Sequence, residues 1–186
     1  MILTRDGGDR LPKFPSIQDQ FGLHFGCFVE MPVEKGIALL TGMEVVTLPL
    51  PTGNYSQDYP LRAKLVLEAM EKFDGLYIHL KGPDEPAHDG NVEMKKEIIE
   101  MIDKYFFGQL LPSLSLEKVI LAVTADHSTP CTLKAHSDDP VPLLIAGGGL
   151  ESDGTAGFSE RSCKSGSLGT IIGNQLMGRL VKLVQE

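Results

Sequence analysis

The sequence predicts an α/β domain built on a doubly wound, mostly parallel sheet. Short runs that are apolar almost throughout recur along the chain, as expected of strands covered on both faces. Amphipathic runs at helical spacing lie between them, and strand–helix alternation is the pattern of a parallel sheet with helices packed on it. The chain has 186 residues, 42% hydrophobic and 23% charged, which is enough for one domain with its own core.

Taken in order, the strands are expected at "MILT" (1–4), "HFGCFVEM" (24–31), "MEVVTLPL" (43–50), "GLYIHL" (75–80), "KVILAVT" (118–124) and "PLLIAG" (142–147). In "DYPLRAKLVLEAMEKF", Leu61, Leu65, Met70 and Phe73 recur near helical spacing, with Val66 and Ala69 beside them. In "NVEMKKEIIEMIDKYF", Met94, Ile98, Met101, Ile102 and Tyr105 form one stripe. "SLGTIIGNQLMGRLVKLVQE" predicts a helix capped by Ser167, with Leu168, Ile171, Ile172, Leu176, Leu180 and Leu183 facing a core. Residues 49–53 and 147–157, rich in Pro and Gly, are expected to be loops.

Composition excludes several classes of function. The net charge is −8 with no basic run, which disfavours electrostatic binding to nucleic acid. No apolar run approaches the roughly 20 residues that span a bilayer, and "MILTRDGGDR" lacks the layout of a secretory signal. Cys27, Cys131 and Cys163 are widely spaced and odd in number, so a reducing, cytoplasmic setting is expected instead of a disulfide framework. Cys131 reads as a small buried residue.

The polar residues cluster on this scaffold. Ligands in open α/β sheets bind at the carboxyl ends of strands. "GLYIHL" runs into "KGPDEPAHDG", which places Asp84 and His88 four residues apart; a helical turn after Pro83 would point both the same way. "VILAVT" runs into Asp126 and His127, and His136 follows in the next loop. Three of the five histidines and two aspartates thus gather at one sheet edge. Imidazole and carboxylate suit Zn²⁺, Mn²⁺, Co²⁺ or Fe²⁺, and five ligands are too many for one tetrahedral ion. Two metals roughly 4 Å apart would divide them and could clamp a phosphoryl group. His79, alternating with apolar neighbours, reads as a core or supporting residue, and His24 has no evident partner.

"HLKGPDEPAHDG" with its following amphipathic run, then "VTADHSTPCTLKAHSDDPVPLLIAGGG", resembles the archaeal-type cofactor-independent phosphoglycerate mutases of the alkaline phosphatase superfamily. The resemblance extends to "PSIQDQFGLHFGCFVEMPVEKGIALLTGM" and "SCKSGSLGTIIGNQLM", and so covers nearly the whole chain. It implies an alkaline-phosphatase-like fold and an isomerase of glycolysis and gluconeogenesis that interconverts 3- and 2-phosphoglycerate through a phosphoserine, without 2,3-bisphosphoglycerate. It implies two divalent ions (Mn, Zn or Co): Asp84, His88 and His136 on one, and Asp126 and His127 on the other. Lys35, in "PVEKGIA", matches a position where the family has a lysine close to the active site and would supply positive charge near the phosphate; Arg5, at the end of the first apolar run, would hold the substrate carboxylate or phosphate through a bidentate contact.

Family members are roughly twice this length. The chain therefore reads as a carboxyl-terminal portion of the metal-binding domain, with 1–30 the return from an inserted second domain. The nucleophilic Ser and a further Asp ligand are expected in the missing amino-terminal half. Neither Asp6 nor Asp9 of "RDGGD" is assigned as that ligand, and Ser128 and Ser137 are not the nucleophile. The chain alone is expected to be inactive and to pair with the missing half or with itself. A metal-dependent phosphomonoesterase or phosphodiesterase of the same superfamily, and a non-catalytic metal-binding or oligomerising module, remain alternatives.

Overall fold

A computed structural model describes residues 13–185. The chain divides into two compact units, Met1–Pro51 with Leu65–Leu80, and Thr52–Lys64 with Lys81–Glu186. The expected strand at 1–4 lies outside the described residues.

In the first unit, α1 (Ile17–Phe21) opens with a reciprocal cap. The Asp19 amide donates to Ser16 Oγ at 3.0 Å and the Ser16 amide to the Asp19 carboxylate at 3.3 Å. β1 (Phe25–Phe28) is central, with α2 (Pro32–Leu40) after it. α2 starts sharply because Pro32 suits a first helical position and the Glu34 carboxylate takes the Met31 amide at 3.1 Å. β2 (Glu44–Val45) and β3 (Gly75–Ile78) flank β1, all parallel, in the order β2-β1-β3. Cys27 sits opposite Val45 on one side and Tyr77 on the other. Cys27, Val29 and Ala38 form the core, with Met43 and Val45 packed on it.

Two expectations change here. β2 is far shorter than 43–50. Val46 still donates to the Cys27 carbonyl at 2.9 Å, but Pro49 and Pro51 beyond it have no N–H to extend a ladder. His24 does have partners: its amide donates to Asp74 at 2.7 Å, its Nε2 is 3.5 Å from Glu44, and its ring lies 4.8 Å from that of Phe73.

α3 (Tyr55–Ala69) begins in a segment of the second unit and ends in one of the first. Asn54 Oδ1 gathers the Ser56 amide and hydroxyl at its start, at 3.1 and 2.7 Å. Its buried residues are Tyr59, Ala63, Val66 and Ala69, whereas Leu61 of the expected stripe is exposed.

In the second unit, α4 (Asp84–Asp89) is followed by α5 (Val92–Met101), whose first turn is capped by Asn91 Oδ1 accepting the Met94 amide at 3.1 Å. A π-helical stretch (Ile102–Phe107), α6 (Gly108–Leu110) and a 3₁₀ turn (Leu111–Ser113) continue it. Ile98 of the expected stripe is covered, with Phe106 and Leu110 beyond it, while Met94, in the first turn of α5, is exposed.

β4 (Ile120–Val123) pairs with β5 (Leu144–Gly147) antiparallel, Ile120 opposite Gly147 and Val123 opposite Leu144. A parallel return needs a crossover, usually helical. The connector 124–143 instead folds back on itself through an antiparallel bridge between Ser128 and Ser137.

α7 (Glu160–Cys163) and a 3₁₀ turn (Gly173–Gln175) precede α8 (Leu176–Gln185). The expected helix from 167 is therefore shorter. Ser167 is not its cap; its amide and hydroxyl go to the Asp153 carboxylate at 2.7 and 3.1 Å. Gly169 at φ +61° turns the chain out of helical geometry, and Leu168 and Ile172 are exposed.

Candidate metal centre

Asp84 occupies the first turn of α4 and His88 the last, before Gly90 ends the helix in the left-handed region. Four residues apart, they share one helix face, and His88 Nε2 lies 3.5 Å from Asp84 Oδ1.

The β4–β5 connector supplies the other side chains. Asp126 and His127 follow β4, with His127 Nε2 3.4 Å from Asp126 Oδ2. The Ser137 amide donates to the Ser128 carbonyl at 3.0 Å, and this closure draws His136 back beside His127. The two rings stack with centroids 3.7 Å apart at 28°. His136 Nε2 is then 3.7 Å, and His127 Nδ1 4.0 Å, from Asp84 Oδ1. The structure thus brings Asp84, His88, Asp126, His127 and His136 into one cluster. Asp84, His88 and His136 each offer a donor atom within 4.8 Å of the others, and all three are exposed.

Electrostatics favour the ligating form of Asp84. Partial burial acts to raise its carboxyl, but the Thr129 hydrogen bond and the imidazoles of His88, His127 and His136 outweigh that and hold it below the usual carboxylate range. His88 is oriented by the Lys134 carbonyl oxygen, 3.1 Å from Nδ1. A carbonyl only accepts, so Nδ1 carries hydrogen, and in the neutral, ligating ring Nε2 is the nitrogen with a free lone pair toward Asp84 and His136. One carboxylate and two imidazoles with open approach fit a divalent ion of the Zn or Mn kind. Asp126 and His127 offer two further donors of the same chemistry.

Thr129 is a member of this cluster that sequence reasoning missed. It is buried, its hydroxyl donates to Asp84 Oδ1 at 2.7 Å, and it lies 3.0 Å from His127 Nδ1. Its carbonyl accepts from Lys95 Nζ at 2.8 Å. The available signal was a hydroxyl two residues beyond the histidine in "ADHSTP".

Other candidates stand as follows. Lys35 is exposed on α2, in the first unit. Arg5, like Asp6 and Asp9, lies outside the described residues. His79 faces Glu34, Nδ1 to Oε1 2.7 Å. Cys131 is partly exposed, not buried, because it sits in the turn that starts at Pro130, where the Leu133 and Lys134 amides return to the Pro130 carbonyl.

Proteins named 2,3-bisphosphoglycerate-independent phosphoglycerate mutase are similar to the chain. The one from Thermococcus kodakarensis is 37% identical over 186 residues, covering 100% of this chain and 45% of that protein. The one from Aeropyrum pernix is 46% identical over 178 residues, covering 92% and 41%. The chain therefore spans about half the length of the curated relatives it matches. Among solved structures, a protein from Pyrococcus horikoshii superposes with a TM-score of 0.86 at 36% identity, over 92% of this chain and 45% of that one. The cofactor-independent phosphoglycerate mutase from Thermoplasma acidophilum gives 0.70 at 26% identity, over 93% and 40%. The expected alkaline-phosphatase-like α/β fold, present here in part, is the fold of this chain. The family profile described as Metalloenzyme superfamily matches residues 5–183, and the chain belongs to that superfamily.

Proposed function

We propose that this chain is the carboxyl-terminal, metal-binding portion of a cytoplasmic cofactor-independent phosphoglycerate mutase, an isomerase acting between 3- and 2-phosphoglycerate. The observation that carries the proposal is the convergence of His88, His136 and His127 on the single oxygen Asp84 Oδ1. Similarity to proteins bearing that name supports the substrate, and three free cysteines are consistent with a reducing compartment.

Asp84, His88 and His136 would hold one divalent ion, and Asp126 with His127 would contribute to a second. When bound, such ions lower the pKa of an attacking hydroxyl and neutralise charge on a phosphoryl group. The chain's own residues orient the donors: α4 fixes Asp84 against His88, and the connector fixes His127 against His136. Lys35 is assigned to the substrate phosphate, and Arg5 to its phosphate or carboxylate. The nucleophilic serine comes from the remainder of the longer protein, so this chain alone has little or no mutase activity.

Calorimetric titration of Mn²⁺ or Zn²⁺ into the wild-type chain and Asp84→Ala tests the centre. Wild type should bind and the variant should not; equal binding removes Asp84 as a ligand. Robust turnover of 3-phosphoglycerate by the chain alone would overturn the assignment of the nucleophile. A phosphomonoesterase or phosphodiesterase of the superfamily would use the same donors. Phosphate release from a generic ester without transfer, once the other half is supplied, would favour that reading.

A further inference from the structure

We propose that the Thr129 hydroxyl is a positioning group that ties the two donor sets together, fixing the tautomer of His127 and the orientation of Asp84. The proposal rests on the metal reading of the cluster but is tested separately from it.

The argument is one of proton inventory. A hydroxyl has one proton to give and lone pairs to accept with. Thr129 Oγ1 is 2.7 Å from Asp84 Oδ1, and an ionised carboxylate can only accept, so the hydroxyl proton points there. Thr129 Oγ1 is also 3.0 Å from His127 Nδ1. With its own proton committed to Asp84, Oγ1 must accept from His127, so Nδ1 carries hydrogen. In the neutral ring, Nε2 is then the bare nitrogen, and it faces Asp126 Oδ2 at 3.4 Å. In that neutral form the nitrogen and the carboxylate oxygen are both acceptors, an arrangement suited to a shared cation.

The hydroxyl itself is held. Thr129 is the one buried residue of the polar and charged types among the described residues. Leaving a buried hydroxyl without a partner is costly, so its geometry is restricted. Its β-branched side chain has few χ1 choices, and Lys95 of α5 pins its carbonyl at 2.8 Å. The line His127 Nδ1–H to Thr129 Oγ1–H to Asp84 Oδ1 therefore joins a donor of the Asp126/His127 set to the carboxylate of the Asp84/His88/His136 set.

Full-length T129V and T129S are the test. Imidazole nitrogen NMR of the metal-free protein reads the His127 tautomer directly. Wild type and T129S should carry hydrogen on Nδ1, and T129V should lose that preference. Zn²⁺ titration should show T129V weakened about 10–100-fold, the usual effect of removing a group that orients a ligand, with T129S near wild type. A T129V protein that keeps the Nδ1–H form, or binds Zn²⁺ as tightly as wild type, overturns the proposal. If T129V does not fold, T129S decides it, because loss of the Nδ1–H form with the hydroxyl still present overturns it as well. A wild type that binds no ion, while T129V still changes the tautomer, defeats the metal reading and leaves the hydroxyl linkage supported.

Discussion

His88 Nδ1 takes its partner from the main chain, not from a side chain: the carbonyl oxygen of Lys134 stands 3.1 Å away. Lys134 is also the one described non-glycine residue with positive φ, 53°. The orientation of a candidate ligand thus depends on a backbone conformation that L-residues rarely adopt.

Lys134→Gly should therefore leave Zn²⁺ affinity unchanged and stability within about 1 kcal/mol of wild type, since glycine adopts that conformation freely. Lys134→Val should cost about 1–3 kcal/mol and weaken metal binding, because a β-branched residue resists it. Urea denaturation and metal titration of the pair check this; equal behaviour of Gly and Val would show that the backbone there is not constrained.

Asp153 carries the acid-side prediction. Hydrogen bonds from the Ser167 amide first, then from the Thr155 hydroxyl and amide and the Ser167 hydroxyl, hold its carboxyl well below the usual carboxylate range. A lowered folded value means that the folded state binds its proton less tightly than the unfolded chain. Its contribution to stability is thus present above about pH 4 and fades as pH falls further. Asp153→Asn should flatten the acid-unfolding curve below about pH 4 and speed hydrogen exchange at the Ser167 amide. An unchanged curve with unchanged exchange refutes it.

Cys27 shows the opposite shift. Burial first, then the nearby Glu34 charge, pushes its thiol up to about 11. The folded value lies above the ordinary 9.0, so stability from this group is intact below pH 9.0 and is lost as pH rises toward about 11. Iodoacetamide at pH 8 should label Cys131 and Cys163 while Cys27 stays unmodified in native protein, as mass spectrometry of the digest would report. Prompt native-state labelling of Cys27 would contradict its burial.

Gly147 ends β5 at φ +100°, and a Cβ there would collide with the Val119 carbonyl oxygen and come within 2.9 Å of that of Leu116. Both obstacles are main chain and cannot swing aside. Gly147→Ala should lose on the order of 2–4 kcal/mol, from strain and overpacking together. Gly149, at φ +79° with nothing near, should lose only about 1 kcal/mol on the same change. Denaturation midpoints of the two variants give the comparison, and similar losses would refute it.

What the sequence revealed, and what it hid, follows from the range of the forces involved. The four-residue spacing of Asp84 and His88 after a proline is local, and α4 reproduces it. The apolar runs located β1, β3, β4 and β5 to within a few residues. Strand direction was not legible, because an apolar run reads alike both ways and only the connector's fold sets β5 antiparallel to β4. The helix expected from Ser167 failed because Asp153, fourteen residues away, competes for the Ser167 donors. Thr129 was hidden for a related reason: its meaning comes from Asp84, forty-five residues away, and from Lys95 on another helix.

The paired necks of the β4–β5 connector have a kinetic consequence. The β4–β5 ladder at Val123 with Leu144, and the single bridge of Ser128 with Ser137, already meet the entropy of closing this excursion without an ion. Capture should then resemble a key dropping into a cut lock: association near the diffusional ceiling, little ellipticity change on loading, and residence time governed by release.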